Sequence, residues 1–254
     1  MMKIKDRVVV FPDIHFPHHS EKALKCALKV IKEVEPTAYL NLGDIAEGDS
    51  VSHWKWKRRK RPPLEYQLPE ICKEIEDINM HWDRIDEALD KVNCKNKVFA
   101  QGNHELWFDH FVEENPFLDE IRTERAFRIK ERGYKYHPYG KIFKVFGSKL
   151  NAYHGGHYSG INHTRAHVLN LGCNIIYGHT HDCQRSVVTH LSGPHMAHSM
   201  GCLTDMDKDY LKKRKTNWTH NVGIVDIFDD RNFTLHVLDI YAGKTSYNGK
   251  PIVA

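Results

Sequence analysis

The chain has 254 residues, of which 41% are hydrophobic and 28% are charged, and its formal net charge is +4. This size and composition allow one large soluble domain with a substantial core. No apolar run approaches the roughly 18 residues of a membrane span, and the N-terminal apolar stretch is too short for a secretory signal. We therefore expect a cytoplasmic protein without a membrane partner. The six scattered cysteines predict reduced thiols, and the 19 histidines are an excess that requires an explanation.

Strands and helices are predicted to alternate in the N-terminal part of the chain. Short apolar or β-branched runs predict strands at residues 7–11, 38–42 and 97–100. Between them, apolar residues recur at helical spacing over residues 21–34 and 69–92. This alternation is typical of parallel strands joined by helical crossovers.

The pattern becomes richer in strands after a predicted helical stretch at residues 106–130. Strands at residues 142–146 and 149–153 flank Gly147-Ser148, which is a two-residue hairpin signal. A helix at residues 163–171 and a strand at residues 174–177 follow. Four more strand-like runs cover residues 183–190, 195–200, 222–228 and 233–240. Residues 1–254 are therefore predicted to form one α/β domain with parallel strands first and more antiparallel strands later.

Residues 45–68 lack periodicity and are predicted to form a long loop inserted in this domain. The segment is basic and aromatic and contains proline. Loops of this length in a compact domain are usually functional or mobile. Because the segment leaves directly from Asp44, we expect it to overhang the site described next.

Five short motifs carry side chains that bind metals, and each motif stands where an extended run ends. They are Asp13-x-His15, Gly43-Asp44, Gly102-Asn103-His104-Glu105, His154-Gly155-Gly156 and Gly178-His179-Thr180-His181. In an extended segment, residues i and i+2 point to the same side, so Asp13 and His15, and likewise His179 and His181, are expected to aim together. Imidazole and carboxylate ligands suit Zn, Mn, Fe or Ni. The set matches the needs of two divalent cations that share one bridging carboxylate.

In their order and type, these motifs resemble those of the calcineurin-like metallophosphoesterases, and they extend over residues 13–181. The resemblance implies two stacked mixed sheets flanked by helices, an α/β/β/α sandwich. It also implies two divalent metal ions, for which Mn is expected and Zn, Fe or Ni are alternatives. One ion would be held by Asp13, His15, Asp44 and His181, and the second by Asp44, Asn103, His154 and His179.

The resemblance implies phosphate ester hydrolysis, with Asp44 as the bridging carboxylate. Two cations about 3.5–4 Å apart lower the pKa of a bridging water and stabilise an in-line displacement. We therefore expect a metal-bridging hydroxide as nucleophile and no covalent intermediate. His104 is then a catalytic histidine that is not a ligand and that stabilises the transition state or protonates the leaving group. Residues 43–49 lack the arginine of the phosphoprotein phosphatase motif G-D-x-x-D-R-G, which argues against protein phosphatase activity.

The basic stretch at residues 53–61 has two interpretations. It is a solvated loop with its tryptophans packed against the body, or a clamp whose cations neutralise phosphates while the tryptophans stack on bases. The same choice applies to residues 212–215 with Trp218. His157 and His163 are expected in surface loops. The candidate substrate-binding residues are Trp54, Trp56, Arg58, Arg59, Arg61 and Arg165.

Three functions remain open at this point. The basic and aromatic residues favour a phosphodiesterase that acts on DNA, RNA or nucleotides. The first alternative is a phosphomonoesterase that acts on a small molecule or a nucleic-acid end. The second alternative is a non-catalytic binding module that retains the fold.

Overall fold

The computed structural model describes residues 2–57, 59–208 and 211–254. The helices are α1 (Glu21–Val34), α2 (His53–Trp56), α3 (Leu64–Lys91), α4 (Asn103–Glu114), α5 (Thr123–Ala126) and α6 (His163–Leu171), with 3-10 helices at Pro116–Ile121 and Val145–Gly147. The strands are β1 (Ile4–Phe11), β2 (Ala38–Asn41), β3 (Asn96–Ala100), β4 (Tyr134–His137), β5 (Phe143–Lys144), β6 (Asn151–Ala152), β7 (Ile175–Tyr177), β8 (Gln184–His190), β9 (Gly193–Ser199), β10 (Asn221–Phe228), β11 (Phe233–Asp239), β12 (Lys244–Tyr247) and β13 (Lys250–Val253).

The described strands form two large sheets and one small ribbon. The first sheet has the order β11-β10-β1-β2-β3-β4, in which β1 to β4 are parallel and β10 is antiparallel to both of its neighbours. The second sheet has the order β5-β6-β7-β9-β8, in which β6, β7 and β9 are parallel. β12 and β13 form the ribbon. The prediction that parallel strands come first and antiparallel strands later is confirmed, and these strands belong to two sheets.

Alternate residues of β1 show how the layers stack. Val9 and Phe11 lie in an apolar core shared with α1 and α3. Val8 and Val10 lie in a second core shared with β7 and β9. Successive side chains of a strand point to opposite faces, so β1 is buried on both sides. A third apolar cluster joins β7 to α6. The layers are therefore helix, sheet, sheet and helix, which confirms the expected α/β/β/α sandwich.

Helix α1 has the predicted bounds because its first turn is capped. The Ser20 hydroxyl accepts a hydrogen bond from the Ala23 amide at 3.4 Å, as expected of a serine at this position. Helix α6 also has the predicted bounds and ends at Gly172 in a left-handed conformation. Among the described residues, no helix combines the length and apolarity that crossing a bilayer requires.

Two helix predictions differ from the structure at prolines. Helix α3 begins at Leu64, ahead of Pro69, so the predicted loop at residues 45–68 is shorter. Because proline has no amide hydrogen, Pro69 cannot donate a hydrogen bond to the carbonyl four residues before it. That carbonyl belongs to an exposed residue, so water can bind it. The continuous helix predicted at residues 106–130 is wrong. Helix α4 ends before Pro116, because proline lacks the amide hydrogen that a longer helix needs.

The predicted hairpin forms, but its turn is longer than expected. β5 and β6 pair in antiparallel fashion, and residues 145–150 separate them. Phe146 lies in this connection with a positive φ of 44°. The prediction of a two-residue turn at Gly147-Ser148 is therefore wrong.

Candidate metal centre

The five motifs meet at one place between the two sheets. Asp13, Asp44 and Asn103 follow β1, β2 and β3 of the first sheet, whereas His154 and His179 follow β6 and β7 of the second. The carboxyl ends of parallel strands are the usual location of sites in α/β proteins. Stacking the two sheets brings their two sets of loops together.

The first group of ligand-type side chains consists of Asp13, His15, Asp44 and His181, all of which are buried. The Nε2 atoms of His15 and His181 face each other at 3.0 Å. His181 Nε2 lies 3.1 Å from Asp13 Oδ2, and His15 Nε2 lies 3.9 Å from Asp44 Oδ2. Two carboxylates and two imidazole nitrogens thus converge on a space that a divalent cation fits.

The second group shares Asp44 with the first and adds His154 and His179. Asn103 Oδ1 lies 3.0 Å from His154 Nε2 and 2.8 Å from His179 Nδ1. His154 Nε2 also lies 3.3 Å from Asp44 Oδ2. Because the other Asp44 oxygen, Oδ1, accepts a hydrogen bond from the His104 amide at 3.0 Å, Oδ2 is the atom directed between the two groups.

Neighbouring acceptors orient two of these histidines toward the centre. His154 Nδ1 donates a hydrogen bond to the Leu42 carbonyl at 2.8 Å, and His15 Nδ1 lies 3.3 Å from the Glu47 carboxylate. Both contacts leave Nε2 as the nitrogen that faces the centre, as is usual for histidines that bind metals. Asp13 Oδ1 is buried and lacks a hydrogen-bond partner among the described residues. These features fit divalent cations.

The electrostatics of the centre favour positive charge. Burial by itself raises the pKa of Asp44, but the charges of His154, His104 and His15 lower this pKa well below its usual value. Burial lowers the pKa of His154, and the Asp44 carboxylate more than offsets this and raises it to about 10. Desolvation and His104 lower the pKa of His15 to about 4. A buried carboxylate that stays ionised is a good ligand for a cation.

Four residues of the centre have a strained backbone. His15, Asp44, His179 and His181 have φ values of 59°, 46°, 67° and 60°, in the left-handed region that side chains rarely adopt. Each such residue costs on the order of 1–3 kcal/mol, and strain of this kind occurs mostly at functional sites. The prediction that His179 and His181 aim together in an extended segment is wrong. The left-handed turns direct His179 to the second group and His181 to the first.

Two glycines are required because other backbone and side-chain atoms approach them closely. A Cβ atom on Gly102 would lie 2.1 Å from Asp44 Oδ1, and one on Gly178 would lie 2.0 Å from Asp13 Oδ1. Both distances are far shorter than a contact between non-bonded atoms. A larger residue at either position would displace a ligand carboxylate.

Glu105 supports the loop that carries Asp44, a role that the sequence did not reveal. Its buried carboxylate accepts hydrogen bonds from the amides of Asp44, Ala46 and Gly102 at 3.0, 2.8 and 2.8 Å. Burial and the Asp44 charge raise the pKa of Glu105 to about 7. The available signal was the spacing of Gly102 and Glu105, because a glutamate three residues after the N-cap residue can accept a hydrogen bond from the amide of that residue, as Glu105 does from Gly102.

His104 lies beside the first group. Its Nε2 is 4.0 Å from Asp44 Oδ2, and its Nδ1 donates a hydrogen bond to the Glu47 carbonyl at 2.5 Å. His104 is also close enough to His15 and Glu47 for these three to hold a metal ion. One face of the His104 ring packs against Trp107, with ring centroids 4.1 Å apart.

The candidate substrate-binding residues lie in different settings. Trp54 is 59% exposed, with the Lys57 ammonium 4.6 Å from its ring centroid. Trp56 is partly buried, whereas Arg59 and Arg165 are exposed. Arg61 is already engaged, because it forms an ion pair with Glu114 at 2.6 Å. Arg58 lies outside the described residues.

The surface position expected for His163 is wrong. His163 is buried at the start of α6, where its Nδ1 lies 2.6 Å from the Tyr177 hydroxyl. Its Nε2 lies 3.1 Å from Asp182, the residue after His181. His163 therefore braces the strand end and the loop that carry His179 and His181.

Comparisons with known proteins yield distant relatives. No family model matches the chain. The chain is 23% identical over 267 residues to the Gene 54 protein of Mycobacterium phage L5, a match that covers 96% of this chain and 97% of that protein. It is also 23% identical over 259 residues to the Gene 54 protein of Mycobacterium phage D29, with the same coverage.

Two solved structures are similar to the chain along most of its length. Chaetomium thermophilum Vps29 has 12% identity and a TM-score of 0.44, and the match covers 99% of this chain and 95% of that one. YfcE, a phosphoesterase from E. coli, has 15% identity and a TM-score of 0.39, with 91% and 98% covered.

Proposed function

We propose that this protein is a phosphoesterase that depends on two divalent metal ions. One observation carries the proposal: the two groups of buried or partly buried ligand-type side chains share Asp44 Oδ2, and the His104 ring lies beside them. Such an arrangement suits the hydrolysis of phosphate esters, in which negative charge develops on several oxygens at once. When bound, two divalent cations act as Lewis acids toward the phosphoryl oxygens and activate water.

The side chains of the protein have distinct tasks in this reaction. Asp44 stays ionised and directs Oδ2 between the two groups, while Glu47 and the Leu42 carbonyl hold His15 and His154 in their orientations. The hydrogen bond from His104 Nδ1 to Glu47 leaves Nε2 on the side of the centre. From there His104 is placed to donate a hydrogen bond or a proton to the oxygen of the leaving group.

The substrate that we favour is a phosphodiester of nucleic acid or of a nucleotide. Exposed cations follow two of the motifs in the chain: Lys55, Lys57, Arg59 and Lys60 come after Asp44, and residues 212–215 come after His181. Basic side chains supply the part of nucleic-acid affinity that does not depend on sequence. Mn is the ion that we expect, since carboxylate and amide oxygen ligands suit it, and the histidines make Zn, Fe or Ni the alternatives.

The decisive experiment compares bis-p-nitrophenyl phosphate with p-nitrophenyl phosphate in the presence of Mn²⁺. We expect faster hydrolysis of the diester, and we expect Asp44→Asn to lose both the activity and part of the bound metal. Asp49→Asn is the matched control, because Asp49 is an exposed carboxylate in the same segment. Faster monoester hydrolysis would indicate a phosphomonoesterase. Binding of two ions without any hydrolysis, when Mn, Zn, Fe and Ni are each supplied, would contradict an enzymatic function.

A further inference from the structure

Five aromatic rings form a continuous row across the candidate metal centre. In the order Trp107, His104, His15, His181 and Trp218, neighbouring ring centroids are 4.1, 4.6, 4.9 and 4.4 Å apart. The three inner rings are histidines of the centre or beside it. The two tryptophans therefore end the row, with the three histidine rings between them.

Trp107 connects the centre to the first basic segment. It lies on α4, three residues after His104, and it is half-buried. His53 also contacts Trp107, with ring centroids 5.8 Å apart and ring planes nearly perpendicular, and His53 in turn contacts Trp54 with ring centroids 4.6 Å apart. Lys57 lies over the Trp54 ring. An aromatic and basic path thus leads outward from Trp107.

Trp218 connects the centre to the second basic segment. Its backbone pairs with that of Asp182, which fixes it beside His181. The ring is half-buried, and the preceding residues 212–215 are exposed lysines and an arginine. Each end of the row is therefore accompanied by its own cluster of positive charge.

We propose that Trp107 and Trp218 stack on the bases that flank the scissile phosphate of a single-stranded nucleic acid, which runs along the row. This inference rests on the phosphodiesterase function proposed above. A tryptophan on each side suits a chain that continues in both directions from the phosphate, whereas a monoester continues in one. Bases in a duplex are already stacked on each other, so aromatic platforms of this kind select single strands.

A neighbouring acidic cavity limits the path of the strand. The cavity has a volume of roughly 530 Å³ and is lined by Glu47, Asp49, Asp205 and Asp207 together with His18, His19 and Lys208. Lys208 pairs with Glu47 at 2.7 Å and His18 pairs with Asp49 at 3.0 Å, so Asp205 and Asp207 supply the remaining negative charge that repels phosphate groups. The strand is therefore directed along the row of rings rather than through this cavity.

The test measures binding without metal, so that it is independent of turnover. Fluorescein-labelled dodecathymidylate is compared, in the presence of a chelator, with an abasic oligonucleotide of the same length and charge. Stacking predicts tighter binding of the strand that carries bases. Trp107→Ala and Trp218→Ala should each reduce its affinity by roughly five- to 100-fold, with little change for the abasic strand. Trp107→Phe and Trp218→Phe should restore part of the preference, since phenylalanine keeps an aromatic face.

Tyr241→Ala is the control, because Tyr241 is 72% exposed and lies in the turn before β12. Equal affinity of the wild-type protein for the two oligonucleotides would overturn the inference, as would an equal loss for both in the tryptophan variants. Hydrolysis of bis-p-nitrophenyl phosphate is measured separately with Mn²⁺. If that hydrolysis is present but base-dependent binding is absent, the proposed function stands and the stacking role fails. If base-dependent binding is present without hydrolysis, the stacking role of the two tryptophans is supported and the enzymatic function is contradicted.

Discussion

Replacing Glu105 with alanine is expected to destabilise the loop that carries Asp44. The wild-type carboxylate is fully buried and accepts three backbone hydrogen bonds, from Asp44, Ala46 and Gly102. The variant leaves three buried amides without an acceptor, and each unpaired amide costs about 1–3 kcal/mol. Because the loop can relax partly, we expect a loss of about 3–6 kcal/mol in the free energy of unfolding. This is a large fraction of the roughly 5–15 kcal/mol typical of a folded domain.

The assay is urea denaturation of the metal-free protein, followed by tryptophan fluorescence, together with calorimetric titration of Mn²⁺. Glu105→Gln keeps one acceptor oxygen and places an amide group against at least one backbone N–H, so we expect a smaller loss of about 1–3 kcal/mol. Glu113→Ala on the exposed side of the same helix is the control and should change stability by less than about 0.5 kcal/mol. If Glu105→Ala costs less than about 1 kcal/mol, or leaves the Mn²⁺ affinity unchanged, the supporting role of Glu105 is refuted.

Three further predictions concern the centre and the core. His104→Ala should lower turnover by roughly 10²–10⁴-fold while both ions remain bound, as checked by metal analysis; loss of an ion would make His104 a ligand. Gly178→Ala should weaken Mn²⁺ binding by roughly 10–100-fold in calorimetry, because its Cβ would displace Asp13; unchanged affinity would contradict this crowding. Burial lowers the pKa of His167 and of His198 to about 4. Their contribution to stability is therefore present above about pH 6.5 and is lost as the pH falls through 4. Protonation of each histidine should lower the free energy of unfolding by roughly 2–3 kcal/mol. Urea midpoints that stay constant between pH 7 and 4 would refute this.

Much of the architecture was readable from local patterns. The run of residues 8–11 is apolar at every position, as expected for a strand covered on both faces, and the structure covers it with helices on one side and the second sheet on the other. The bounds of α1 followed from its apolar stripe and from Ser20. These features depend on neighbours within a few residues, so they can be recognised without knowledge of the fold.

Contacts between distant residues explain where the patterns failed. The first part of the predicted loop, residues 45–52, is largely buried rather than overhanging. Its backbone amides donate hydrogen bonds to the carboxylates of Glu105 and Glu74, which lie on helices later in the chain. A segment without periodicity can be well ordered when remote side chains accept its backbone hydrogen bonds. No local pattern in the segment itself reveals those partners.

Residue types and their order along the chain show which side chains are available for metal chemistry and that each follows an extended run. The tertiary structure brings these side chains together, with Asp44 in both groups and with His179 and His181 in different ones, a division that the sequence offered only through the family resemblance. It also placed Trp107 and Trp218, rather than Trp54 and Trp56, in ring contact with histidines of the centre. This difference arises because residue type and periodicity are local properties of the chain. Distances between loops from different strands are set by how the two sheets stack.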